Sequence, residues 1–61
     1  MDDEGVSALV GSAVDEAVAR VREAGRVERV VGPDDLVTME YRPDRVTLVA
    51  EEGRVVRATV G

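Results

Sequence analysis

Between Pro33 and Pro43 runs Leu36-Val37-Thr38-Met39-Glu40-Tyr41-Arg42, the stretch whose residue types and spacing invite chemistry with a partner. Val37, Met39 and Tyr41 alternate with Thr38, Glu40 and Arg42, the period of an extended chain. Each proline fixes its own φ and stiffens one end. Two readings stay open at this level. The segment is a short edge strand with Val37, Met39 and Tyr41 packed inward, Tyr41 being the only aromatic residue. Alternatively it is an exposed extended segment that another protein takes up as a strand. The chain itself has little catalytic equipment. It has no cysteine and no histidine, so thiolate nucleophiles, imidazole bases, disulfides and the commonest metal ligands are missing. The carboxylates of Asp34, Asp35, Glu51 and Glu52 fall in turns and read as solvated charges. The expectation is a chain that is not an enzyme, with no cofactor and no metal.

What positions that segment has to be small. Sixty-one residues make one domain, and a chain of that size buries only about 60% of the surface its unfolded form exposes. The apolar residues are mostly Val and Ala, so the core is thin. A hydrophobic content of 44% is nevertheless too high for a disordered tail. The formal net charge of -5 argues against a nucleic-acid backbone or an anionic membrane as partner. No apolar run approaches the roughly 18 residues of a membrane span, and no signal-peptide pattern is present. That leaves the compartment open between cytoplasmic and secreted after leader removal. Every basic residue is Arg.

The elements follow from local signals. Met1 to Gly5 reads as an acidic tail. Ser12 with Asp15 three residues on predicts a helix N-cap and short capping box. Val14, Ala17, Val18, Val21 and Ala24 recur on one face, and Gly25 suits a left-handed C-cap. The helix is therefore expected over Ala13–Ala24. Val27–Val31 is β-branched and reads as a strand, ended by Gly32-Pro33-Asp34-Asp35. Arg45–Ala50 reads as a second strand, with Val46, Leu48 and Ala50 on one face and Arg45, Thr47 and Val49 on the other. Glu51-Glu52-Gly53 is a turn and Arg54–Val60 a third strand, antiparallel to the second. The helix is expected to cover one face of the sheet. The connection from Gly32 to Asp44 is long for a compact domain, as functional loops are.

Val37-Thr38-Met39-Glu40-Tyr41-Arg42, followed by Asp44-Arg45-Val46 and Val60-Gly61, resembles the potato inhibitor I family of serine-protease inhibitors, in particular its barley chymotrypsin inhibitor branch. Leu9-Val10-Gly11, Val14 and Glu16-Ala17 resemble the family's opening, and Tyr41 to Arg45 is similar to bacterial and fungal elastase inhibitors of that architecture. The likeness extends from Ala8 to Gly61. It implies an α+β fold: a single inhibitor-like domain with one helix on a small mixed sheet, and a long exposed reactive-site loop joining two parallel strands.

The resemblance further implies that Met39 enters the protease's primary specificity pocket and that Met39–Glu40 is the reactive bond. Val37, Thr38, Tyr41 and Arg42 would flank it in the cleft. Met39 suits the wide apolar pockets of subtilisin- and chymotrypsin-type enzymes and, less well, elastases. The implied partner is a serine protease bound by a monomer. Arg45 matches a family arginine that braces the loop, with Thr38, Glu40 and Gly61 as its implied partners. A second bracing arginine of the family falls at Thr47, with Arg57 as a substitute, and a family tryptophan falls at Val6. Two other readings compete: a non-inhibitory protein-interaction module or folding scaffold of the same fold, and a subtilisin-type propeptide that would inhibit through its C-terminal tail.

Overall fold

The computed structural model describes residues 2–35 and 42–61. It contains helix α1 (Asp3–Ser7), helix α2 (Val14–Glu23) and strands β1 (Val27–Val31), β2 (Arg45–Glu51) and β3 (Arg54–Val60). The strands form one sheet in the order β1-β2-β3. β2 pairs antiparallel with β3 and parallel with β1. The fold is the expected α+β arrangement of a helix on a small mixed sheet with a long connection between two parallel strands, plus one more helix than the sequence reading placed.

α2 forms where its apolar period predicted. Ala17 and Val21 are fully buried, with Val14 and Val18 packed beside them. Ala24, the last residue of the expected stripe, is exposed. Its C-terminus is a Schellman cap: Gly25 N–H donates to the Arg22 carbonyl at 2.9 Å and Arg26 N–H to the Val21 carbonyl at 3.1 Å. That geometry needs the φ of +76° that Gly25 adopts without a side-chain clash. The N-terminus corrects the expectation of a Ser12 cap. Ala13 is the N-cap and no side chain caps the helix. The chain before α2 runs antiparallel beside β3, with Ala13 bridged to Arg54 and Ser12 O accepting from Val55 N–H. Ser12 is thus committed to the sheet, and Val14 N–H bonds to Gly53 O instead.

The acidic start is likewise corrected. Residues 3–5, expected in a tail, lie in α1. Asp2 is its N-cap, with Oδ1 accepting from Gly5 N–H at 2.8 Å. Acidic residues favour the first turn through the helix dipole, but a helix this short needs tertiary support. Val6 and the following Leu9 supply it, at 3% and 1% exposure.

The core consists of Val6, Leu9, Ala17, Val21, Val46, Leu48 and Val55. The hairpin turn carries Glu52 at φ 52° and Gly53 at φ 79°, the two positive values that a type I′ connection requires. The β2–β3 register shifts between Val49 and Ala50, leaving Val56 as the extra residue of a bulge.

Candidate functional site

The connection between β1 and β2 is held at both feet by turns of the same chemistry. On the first side, Gly32-Pro33-Asp34-Asp35 closes with Asp35 N–H on Gly32 O at 3.1 Å. Asp35 Oδ2 also accepts from Gly32 N–H at 2.7 Å. On the second side, Arg42-Pro43-Asp44-Arg45 closes with Arg45 N–H on Arg42 O, again at 3.1 Å. Each turn has proline at the second position, where its fixed φ suits a β-turn, and aspartate next. The second foot is tied to the rest of the fold twice more. Val27 N–H donates to Asp44 O at 3.0 Å, and Arg26 Nη1 donates to Pro43 O at 2.8 Å.

The parallel register places Val27, Arg29 and Val31 beside Arg45, Thr47 and Val49, and the antiparallel register continues these rows to Thr59 and Arg57. Partners in a row share a face. Arg29, Arg45 and Arg57 therefore stand on the same face as Thr47, away from the one on which α2 packs. Arg45 is half-buried, its Nε shielded from water. Thr47 is 2% exposed, and its hydroxyl donates to the main-chain oxygen of Gly61. Gly61 N–H in turn donates to Arg45 O at 2.7 Å. An open groove of about 350 Å³ borders the first foot, lined by Gly32, Pro33, Asp35, Val49, Val56 and Arg57. Among the described residues no acidic cluster could hold a metal ion, and no helix is long and apolar enough to cross a membrane.

Of the residues singled out from sequence, Val37, Thr38, Met39, Glu40 and Tyr41 lie outside the described residues, as do the expected partners Thr38 and Glu40 of Arg45. Arg42, Arg45 and Gly61 are brought together, through main-chain bonds. Two participants escaped the sequence reading. Arg26 follows the helix cap and gives no local sign that its side chain reaches Pro43, seventeen residues on. Thr47 stood out only as an uncharged residue in an arginine's place, while its value lies in a bond to the far end of the chain.

The model of the peptidase inhibitor I78 family matches residues 2–61, nearly the full sequence. No curated protein matches the chain.

Proposed function

Because the chain belongs to the peptidase inhibitor I78 family, we propose that it inhibits a serine protease of subtilisin, chymotrypsin or elastase type by offering residues 37–42 as a substrate-like strand. Membership makes a protease its partner and sets it apart from enzymes. In this reading Met39–Glu40 is the reactive bond, Met39 fills the specificity pocket, and Arg45 with Gly61 supports the loop, as in the potato inhibitor I family that the segment resembles.

The observation that carries the reading is the parallel pairing of β1 with β2 across a connection pinned at both feet. The end of β1 and the start of β2 lie at opposite ends of the sheet, the separation that an extended substrate-like segment would bridge in this reading. Five strand residues span about 16 Å at ~3.3 Å each. The six residues 36–41 would rise only about 9 Å as a helix but span that distance when extended. A segment extended between two fixed feet would have little entropy left to lose on binding. If the protease cuts Met39–Glu40, both new ends stay anchored, so the Glu40 amine remains beside the acyl carbon and religation competes with hydrolysis.

Progress-curve inhibition of subtilisin, chymotrypsin and elastase, with mass analysis of the chain over hours, tests this. Durable inhibition with at most one slow cut, between Met39 and Glu40, is expected. Rapid cutting there with recovery of protease activity would instead support a scaffold of the same fold. Inhibition without engagement of that bond would place the contact elsewhere on the chain.

A further inference from the structure

Thr47 is the one buried polar side chain among the described residues, and the bond it makes begins a series. Its hydroxyl donates to Gly61 O. Gly61 N–H donates to Arg45 O at 2.7 Å, and Arg45 N–H donates to Arg42 O at 3.1 Å. Three hydrogen bonds thus lead from the sheet face to the second foot of the loop. The N–H and one oxygen of Gly61 are held by β2, by residues two apart. Gly61 has φ +125°, a region where a side chain would be strained. That departure from strand geometry takes its oxygen off the ladder and over the face where Thr47 stands. The links are joined through the covalent backbone of Gly61 and Arg45, so holding one restricts the dihedral freedom of the next.

We propose that Thr47 is a positioning residue: through Gly61 it fixes the main chain of Arg45, and thereby the foot of the protease-binding loop. This rests on the inhibitor reading given above and reverses the sequence-based view of Thr47 as a missing brace. An arginine at this position would act by reaching up to the loop. Threonine acts from below, by immobilising the backbone from which Arg45 and the Arg42–Arg45 turn rise. The hydroxyl is the operative group. Its methyl only fills the sheet face.

Thr47→Val keeps the shape and β-branching and removes the donor, while Thr47→Ser keeps the donor. Amide hydrogen exchange of Gly61 and Arg45 is measured in both variants and in the parent, with Val21 in α2 as the core reference. In parallel the rate of cutting at Met39–Glu40 is followed with subtilisin. In Thr47→Val, exchange at Gly61 and Arg45 and the cutting rate should each rise about tenfold, as loss of one buried hydrogen bond implies. Val21 exchange should stay at the parental value, and Thr47→Ser should restore all three readings. Gly61→Ala, which strains the other partner, should reproduce the Thr47→Val result and serves if that variant does not fold. Unchanged exchange at Arg45 in a folded Thr47→Val or Gly61→Ala protein overturns the proposal, as does a serine variant that behaves like valine. If the parent inhibits no protease, the inhibitor reading fails, and Arg45 exchange still decides the role of Thr47.

Discussion

Arg22 and Glu28 join the last turn of α2 to the edge strand β1: Nε and Nη2 of the arginine lie 2.9 and 2.5 Å from one carboxylate oxygen, Oε1. The Glu28 side chain is only 18% exposed and that of Arg22 69%. The pair therefore sits at the rim of the helix–sheet contact, next to the Gly25 cap that turns the chain from one element into the other.

Hydrogen bonding from Arg22, followed by the Glu28 backbone, holds the Glu28 carboxyl below its ordinary value of 4.5 against an opposing desolvation effect. A carboxyl depressed in the folded state contributes stability that is complete above its unfolded value and is lost as pH falls through the folded one. The urea midpoint of the parent should exceed that of Glu28→Gln at pH 7. The gap should close as pH falls below 4.5. It should also shrink with added salt, as for any exposed pair. A pH-independent gap would show that the substitution acts through packing.

Leu48 is fully buried at the centre of the sheet. In a core built mostly of valine and alanine, no larger neighbour can move in to fill the space. Leu48→Ala should cost about 2–5 kcal/mol, much of the stability of a domain this small. Urea unfolding followed by circular dichroism should show a midpoint near zero denaturant. A loss below about 1 kcal/mol would mean that the site collapses around the cavity.

If Arg45 supports the loop as proposed, Arg45→Ala should leave the fold intact and turn a slow substrate into a faster one, since the main-chain bonds of residue 45 remain possible. With subtilisin, the rate of cutting at Met39–Glu40 should rise at least about tenfold, the scale of one lost charge-assisted bond. Equal durability of variant and parent would remove Arg45 from loop support.

Met39→Arg places a fixed positive charge where an unbranched apolar side chain stands. The ratio of trypsin to chymotrypsin inhibition should rise by about two orders of magnitude or more, since a trypsin-type pocket offers a carboxylate partner and an apolar pocket none. An unchanged ratio would show that Met39 does not occupy the specificity pocket.

Much of this protein is determined by the sequence itself, because its signals are local. The stripe Val14, Ala17, Val18 and Val21, the glycine at position 25, the β-branched runs and the Glu52-Gly53 turn each act within a few residues. Helix α2, its C-cap and the three strands stand accordingly where they were read. The Gly32-Pro33-Asp34-Asp35 turn is legible for the same reason. Only the tertiary structure decided the rest. The parallel alignment of β1 with β2 depends on pairing residues eighteen apart in the chain, Val27 with Arg45. α1 exists because Val6 and Leu9 have a core to enter, and nothing in an acidic start announces that core. Ser12 has the chemistry of a cap, but pairing beside β3 claims it first. Thr47 looks inert until β3 returns Gly61 to its side. In each case the deciding partner lies far along the sequence, and the free energy that selects the arrangement appears only when the sheet closes.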